Sequence, residues 1–149
     1  MTRAPDIFMD TSAVFAGIWS SGGGSRLRLQ LGQAQAVRLW IDTRVRAEVE
    51  DVLRRKAPHR LSALPTLLSQ SRIETLPPAP PALLRQVEAL VAYPADALIV
   101  AAAWTASVDY SVTLDRQHLL DNAALQSAAP FPLGTPGDCL AWYRSHYLD

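Results

Sequence analysis

Short apolar segments typical of buried strands alternate along this chain with longer segments of helical periodicity. Residues 6–9, 37–41 and 110–114 are the clearest strand candidates, and residues 72–76 are a fourth. Apolar side chains at helical spacing fill most of the intervals between them. Strands that alternate with helices predict an α/β layered fold around a mainly parallel central sheet.

The helical segments are bounded by residues that often start or stop a helix. Asp42 is a candidate cap for the helix after the second strand, and Asp96 is the expected cap of a very apolar helix that is buried nearly all round. The glycine-rich residues 20–25 predict a flexible connection, because no Gly-Lys-Ser/Thr of a phosphate-binding loop follows them. The predicted helices are residues 13–19, 26–31, 43–56, 59–70 with an interruption or a fresh start at Pro65, 82–92, 97–104 and 136–146, with a short turn at 118–120.

Size and composition favour one globular domain over residues 1–149. The chain has 149 residues, of which 49% are apolar, and this is enough to build a substantial core. Residues 76–81 are too rich in proline for a helix or a strand. We interpret them as a stiff connector rather than a domain boundary, because the pieces on either side are each too small to fold alone.

The expected compartment follows from cysteine usage and from the absence of targeting signals. Cys139 is the single cysteine, so no internal disulfide can form, and a small core residue is the expected role for it. The N-terminus lacks the features of a secretory signal, and no apolar run is long enough to span a bilayer. We therefore expect a cytoplasmic protein without a membrane association.

Four acidic residues are candidates for a shared site. Asp10 and Asp115 come directly after predicted strands, and the carboxyl ends of parallel strands line the functional crevice of an open sheet. Glu48 lies in the second turn of a helix and Asp96 opens another, so both can project toward the same edge. Carboxylates that converge without cysteine or histidine partners make a hard-oxygen site suited to Mg²⁺ or Mn²⁺.

The segments that carry these acids, taken in order, resemble the PIN-domain nucleases, especially the toxin-type members of bacteria. Each segment alone is a weak signal, but four in the right order are fairly specific. A fifth segment resembles the last strand and the start of the terminal helix, whereas Leu114 departs from the small residue that many relatives have before the fourth acid. The five segments are DIFMDTS at 6–12, RAEVEDVLRRK at 46–56, DALIVAA at 96–102, VTLDRQHL at 112–119 and FPLGTPGDCL at 131–140.

This resemblance implies a three-layer α/β/α PIN-like fold with about five strands, and a catalytic centre of four carboxylates that hold one or two Mg²⁺ or Mn²⁺ ions. The family motif favours Glu48 over Glu50 as the second acid, since the helical pattern separates the two only loosely. Ser12, and with less support Thr113, would hydrogen-bond a ligand carboxylate or a metal-bound water. The implied catalytic and metal-binding residues are Asp10, Glu48, Asp96 and Asp115.

The same resemblance implies an endoribonuclease that cuts single-stranded or loop RNA, acts as the toxin of a toxin-antitoxin pair, and forms a homodimer. The formal net charge is zero, so overall charge does not predict a polyanionic partner. Arg44, Arg46 and Arg116 are best placed for RNA phosphates, because they neighbour the implied ligands. Two alternatives are a PIN-like module that binds RNA or protein without turnover, and a structure-specific DNA nuclease; the short chain argues against the second.

Each acid also has a purely local interpretation. Asp10 and Asp96 can cap helices, Asp115 can be a turn residue, and Glu48 can pair with the arginine one turn earlier. All four local interpretations would have to coincide with the order of the family motifs, so the shared site is favoured. For His118 we favour a partly exposed turn histidine over a contact to substrate phosphate.

Overall fold

The structure is a computed structural model that describes residues 3–19 and 36–148. The predicted connection at 20–25 and the predicted helix at 26–31 lie outside those residues. Within them, five strands form one parallel sheet in the order β3-β2-β1-β4-β5, which confirms the predicted α/β fold with a parallel sheet. The strands are β1 (Asp6–Met9), β2 (Arg38–Asp42), β3 (Glu74–Leu76), β4 (Tyr110–Val112) and β5 (Leu133–Gly134).

Helices connect the strands and cover both faces of the sheet. The chain moves in one direction from β1 to β3 and in the other from β3 to β5, so right-handed crossovers place the connecting helices on opposite faces. No helix in the described ranges combines the length and apolarity needed to cross a membrane. The helices are α1 (Thr11–Trp19), α2 (Thr43–Lys56), α3 (Pro58–Leu61), α4 (Leu64–Gln70), α5 (Pro81–Glu88), α6 (Pro94–Ala106), α7 (Ala123–Ala128) and α8 (Pro136–Tyr147), with a π-helical turn at Arg116–Leu120.

Strand β1 lies at the centre of the sheet and of the core. Ile7, Phe8 and Met9 are each 1% exposed, because helices cover the strand on both faces. Ile7 stands beside Leu39 of β2 and Tyr110 of β4 in the parallel register. A strand buried on both faces reads as a continuous apolar run, which explains why this segment is recognisable from the sequence.

Two strands are shorter than predicted, one because of a tertiary contact and the other because of the helix that precedes it. The strand expected at 110–114 stops at Val112, because the backbone N–H of Leu114 donates to the Ser12 hydroxyl rather than continuing the sheet. The strand expected at 72–76 begins at Glu74. Arg72 has a left-handed backbone with a φ of 54°, and the next N–H bonds back to the carbonyl of Leu68, so these residues finish α4.

Helix boundaries also differ from the predictions at several points. The helix expected at 82–92 ends at Glu88, and Pro94 prevents the following turn from joining the next helix. The segment 59–70 is two short helices, the second of which begins at Leu64 rather than Pro65. The predicted cap on the helix after β2 is confirmed, since Asp42 accepts a hydrogen bond of 2.7 Å from the backbone N–H of Val45.

The prediction that Asp96 caps the apolar helix is wrong. Helix α6 begins two residues earlier, with Tyr93 at the cap position and Pro94 in the first turn. Proline suits that place because its fixed φ matches the helix and the missing N–H would have had no partner there. The carboxylate of Asp96 is therefore not used as the cap of its own helix.

Candidate metal centre

The strand order creates a crevice between the carboxyl ends of β1 and β4. These two strands are neighbours, but the chain continues from β1 toward β2 on one side and from β4 toward β5 on the other, so the connections that follow them diverge. Such a switch point is where open parallel sheets bind their ligands. Asp10 follows β1 directly and Asp115 follows β4 after two residues, so the sheet brings these two acids, which are far apart in sequence, to one edge.

Asp10 is the most enclosed acid of this crevice. Its residue is only 8% exposed, and both carboxylate oxygens accept hydrogen bonds. Oδ1 accepts from the Ser12 hydroxyl at 2.7 Å and from the backbone N–H of Ala13 at 3.0 Å, and Oδ2 accepts from the Thr113 hydroxyl. Asp10 thus caps the start of α1 and also faces the crevice. Burial raises the pKa of its carboxyl group, although these hydrogen bonds oppose the shift.

Two hydroxyl groups tie Asp10 to the loop after β4. The Ser12 hydroxyl donates to Asp10 and accepts from the backbone N–H of Leu114 at 3.0 Å. The Thr113 hydroxyl donates to the other oxygen of Asp10 and accepts from the backbone N–H of Asp115 at 3.0 Å. Both hydroxyls therefore use their donor and an acceptor, and they fix the positions of the two acidic loops relative to each other.

Glu48 reaches the crevice from α2. Its Oε2 accepts from the Thr11 hydroxyl at 2.7 Å, and its Oε1 lies 3.0 Å from Nε of Arg44 on the same helix. The ion pair expected from the local interpretation is present, and Glu48 lines the crevice as well. Glu50 is not among the lining residues; it pairs with Arg46 at 3.0 Å. The geometry separates the two glutamates where the helical pattern did so only loosely.

Asp96 projects into the crevice from the first turn of α6, where it is half-buried. Burial is the main cause that raises the pKa of its carboxyl group, and the negative charge of Asp115 adds to the shift. The neighbouring His118 opposes it. Two carboxylates whose charges disfavour each other are stabilised when a cation binds between them.

Asp115 and His118 interact through backbone and side chain. Oδ1 of Asp115 accepts from the backbone N–H of His118 at 3.0 Å, which starts the π-helical turn. The ring nitrogen Nδ1 of His118 lies 3.2 Å from Asp115 Oδ2 and 3.4 Å from Asp96 Oδ2. The ring also packs on Tyr93, with centroids 4.2 Å apart. His118 is thus a turn histidine, as favoured from the sequence, but it touches two of the candidate ligands.

The four acids share one cleft of about 290 Å³. Phe15, Ile99 and Leu119 supply the apolar part of its wall. Carboxylate oxygens are the donors preferred by Mg²⁺ and Mn²⁺, so the chemistry of this lining suits such an ion. Among the described residues, Asp96 and Asp115 have ligand atoms within 4.8 Å of each other and of His118, whereas Asp10 and Glu48 line the cleft outside that group. The complete lining is Asp10, Thr11, Ser12, Phe15, Glu48, Asp96, Ile99, Asp115 and Leu119.

The three arginines proposed from the sequence to contact phosphates lie outside that lining. Arg44 and Arg46 are about half exposed and form ion pairs with glutamates one turn further along α2. Arg116 is exposed at the start of the π-helical turn, close enough to Asp138 to affect its carboxyl group. Among the interactions of the described residues, Arg44 contacts one candidate ligand, Glu48, and the other two arginines contact none.

Two polar residues of the site received little or no role from the sequence. Thr11 donates to Glu48, and the only sequence signal for it is its position directly after Asp10. His118 contacts two acids, and its signal is the three-residue spacing from Asp115, which places both in one turn. This spacing predicts only the local contact with Asp115. It carries no information about a residue on another helix, so the contact of His118 with Asp96 could not be expected from the sequence.

Comparisons with known proteins identify the family and the fold of this chain. The family model described as PIN domain matches residues 6–117. A chain in the crystal structure of VapBC2 from Rickettsia felis, bound to a DNA fragment from their promoter, is similar in fold, with a TM-score of 0.65 at 16% identity over 87% of this chain and 98% of that one. The structure of PAE2754 from Pyrobaculum aerophilum has a TM-score of 0.60 at 15% identity over 96% and 99%.

The search of curated protein sequences yields no significant match. The family match covers most of the chain and includes the predicted strand-end acids Asp10 and Asp115. The predicted three-layer PIN-like fold is likewise confirmed by the fold similarity. The chain therefore belongs to the PIN domain family of nucleases.

Proposed function

We propose that this protein is a metal-dependent endoribonuclease whose catalytic centre is the acidic cleft at the switch point. The observation that carries the proposal is the convergence of Asp10, Glu48, Asp96 and Asp115 in one cleft from four separate elements. Local capping or pairing accounts for Asp10, Glu48 and Asp115, but not for Asp96, which does not cap its helix. It also does not explain why all four acids face the same space.

The acids would hold one or two Mg²⁺ or Mn²⁺ ions. Bound there, a divalent ion supplies positive charge against the phosphodiester, acidifies a water molecule and stabilises the leaving 3′ oxygen. Without a cation the cleft would repel an anionic backbone, and the raised pKa values of Asp10 and Asp96 reflect the cost of burying those negative charges. The expected products carry a 5′-phosphate and a 3′-hydroxyl.

The hydroxyls of Ser12 and Thr113 have a positioning role in this proposal. They donate to both oxygens of Asp10 and so fix the orientation of its carboxylate. Because Oδ1 also accepts from the backbone N–H of Ala13, Oδ2 is the oxygen that keeps a lone pair for a metal ion. Thr11 likewise donates to Glu48. A preorganised carboxylate set avoids the cost of reorienting side chains when the substrate arrives.

The substrate and partner follow from the family rather than from the cleft itself. We propose single-stranded or loop RNA as the substrate, with Arg44, Arg46 and Arg116 near its phosphates. We also propose a toxin role in the cytoplasm, a homodimer of single-domain chains, and an antitoxin partner that blocks the cleft. The similarity in fold to a chain of VapBC2 supports a partner protein for this chain.

The test uses the purified protein with labelled single-stranded RNA, hairpin RNA and branched DNA, each with Mg²⁺, Mn²⁺ or a chelator. We expect cleavage of RNA loops or single strands only with a metal, and none by Asp10→Asn or Asp96→Asn proteins that keep the fold. Asp51→Asn is the matched control, because Asp51 is an exposed acid paired with Arg55 on α2.

Each other result selects an alternative. Cleavage of branched DNA with intact RNA would replace the proposal by a structure-specific DNA nuclease. Binding of RNA without turnover, together with no detectable metal binding by calorimetry, would identify a catalytically silent module. Full activity in Asp10→Asn or Asp96→Asn would exclude the acidic cleft as the catalytic centre.

A further inference from the structure

His118 directs one ring nitrogen at two acids of the cleft. Nδ1 lies 3.2 Å from Asp115 Oδ2 and 3.4 Å from Asp96 Oδ2. One ligand atom from each of these three residues lies within 4.8 Å of the other two, and among the described residues this is the one group of three or more potential metal ligands at such distances. Asp115 caps the π-helical turn that contains His118, whereas Asp96 lies on α6, so tertiary structure brings Asp96 to the other two residues.

The distance of 3.2 Å to Asp115 lies at the long end of the range for an N–H···O hydrogen bond. The distance of 3.4 Å to Asp96 lies beyond that range, so one ring proton does not account for the approach of both carboxylates. Ligands at adjacent corners of an octahedral ion lie about 3 Å apart when the bonds to the ion are about 2.1 Å. The distances from His118 Nδ1 to Asp96 and to Asp115 are only slightly longer than that spacing, and the two carboxylates have ligand atoms within 4.8 Å of each other.

The surroundings hold the ring in this orientation. Asp115 accepts from the backbone N–H of His118 at 3.0 Å, and the side-chain amide of Asn122 donates to the backbone carbonyl of His118 at 3.3 Å. Tyr93 covers one side of the ring, with an angle of 32° between the ring planes. The hydrogen bonds fix the backbone of His118, and the contact with Tyr93 restricts its ring, so the side chain loses less entropy when it ligates a metal.

We infer that His118 Nδ1 is a direct ligand of the divalent ion, so the centre binds through nitrogen as well as oxygen and prefers Mn²⁺ to Mg²⁺. This inference rests on the metal site of the proposed function. Mg²⁺ prefers oxygen ligands and retains its waters, whereas imidazole is a common ligand of transition metals. Loss of the nitrogen should therefore weaken Mn²⁺ binding far more than Mg²⁺ binding.

The decisive measurement is pulsed electron paramagnetic resonance on the Mn²⁺-loaded protein, which detects a nitrogen bonded to the ion without any need for activity. We expect coupling to ¹⁴N in the wild type and none in His118→Gln or His118→Phe. The second variant keeps an aromatic ring against Tyr93, so it separates loss of the nitrogen from loss of packing. His146→Gln is the matched control, since the His146 ring contacts the Trp142 carbonyl on α8 at 2.8 Å.

Affinities measured by calorimetry give a second readout. The dissociation constant for Mn²⁺ should rise at least about tenfold in His118→Gln, with a much smaller change for Mg²⁺. Mn²⁺ bound to the wild type without nitrogen coupling would overturn the inference, as would coupling that persists in both His118 variants. No Mn²⁺ binding by the wild type would remove the inference and the proposed metal site together. Nitrogen coupling without RNA cleavage would leave the inference standing and contradict only the proposed function.

Discussion

The hydroxyl of Thr113 donates a hydrogen bond to Oδ2 of Asp10, across 103 positions of the sequence. Thr113 is 1% exposed and also accepts from the backbone N–H of Asp115. One buried hydroxyl therefore links the loop after β1 to the loop after β4. This link sets the relative position of two candidate metal ligands, so it connects the stability of the fold with the geometry of the site.

Replacement of Thr113 by valine should reduce both the stability of the fold and the metal-dependent cleavage. Valine has a similar shape but leaves the Asp10 carboxylate and the Asp115 N–H without their buried partner, which should cost about 1–3 kcal/mol of unfolding free energy. Urea denaturation measures this cost. Thr113→Ser keeps the hydroxyl and should retain most of the metal-dependent cleavage, whereas equal activity in the valine and serine variants would contradict a role for the hydroxyl.

Replacement of Asp10 by asparagine should remove cleavage without destabilising the metal-free protein. Burial raises the pKa of Asp10, which means that its ionised form costs folding free energy at neutral pH. Asparagine removes that charge and can still accept hydrogen bonds at Oδ1. Thermal unfolding with a chelator at pH 7 should give a melting temperature equal to or above that of the wild type. A clear fall in melting temperature would show that the carboxylate itself stabilises the fold.

The two glutamates of α2 should differ sharply in importance. Glu48→Gln removes a charge that lines the cleft and accepts from Thr11, so we expect at least about a 100-fold loss of kcat/KM for RNA. Glu50→Gln alters a partly exposed pair with Arg46 and should change kcat/KM little. The same ranking should appear in Mn²⁺ affinity. The reverse ranking would move the second acid to Glu50.

The start of α8 should make a pH-dependent contribution to stability. Thr135 and Asp138 form a capping box with bonds of 3.0 and 3.1 Å, and the backbone N–H of Thr135 is the main cause that lowers the pKa of Asp138 below 3.8. A carboxyl group whose pKa is lowered in the folded state stabilises the protein at pH values above its ordinary pKa. This stabilisation is lost as the pH falls through the lowered pKa of the folded state.

Thr135→Ala should cost about 0.5–2 kcal/mol at pH 7. Asp138→Asn should cost less, because Asp138 is well exposed to solvent. The difference in unfolding free energy between Asp138→Asn and the wild type, measured by urea denaturation, should become smaller below pH 3.8. A difference that grows with acidification would contradict the sign of the shift.

Two glycines near the same helix provide a matched pair. A Cβ at Gly134 would overlap the hydroxyl of Tyr110 and lie 2.8 Å from Cβ of Asp138, so Gly134→Ala should cost about 1–3 kcal/mol. At Gly137 the nearest atom is the Thr135 hydroxyl at 3.9 Å, so Gly137→Ala has room and should be neutral or stabilising. Comparable losses in both variants would mean that crowding at Gly134 is not the cause.

The order and type of most elements are determined by local sequence. Hydrophobic periodicity is a property of neighbouring residues, so a central strand such as Ile7–Met9 and the apolar helix after Asp96 are visible without a structure. Some ends of elements depend on distant partners: β4 stops at Val112 because the Ser12 hydroxyl, far away in the sequence, accepts from the backbone N–H of Leu114. Others depend on a nearby residue, such as the proline in the first turn of α6, which moves the cap away from Asp96.

The same division applies to the site. Asp10 and Asp115 could be predicted, because a carboxylate after a parallel strand lies at the functional edge whatever the details of packing. Only the packing of the helices on the sheet decides that Glu48, and not Glu50, lines the cleft. The same packing brings His118 into contact with Asp96. Periodicity specifies which residues share a face of one helix, but the rotation of that helix over the sheet is set by the packing of side chains from segments far apart in the sequence.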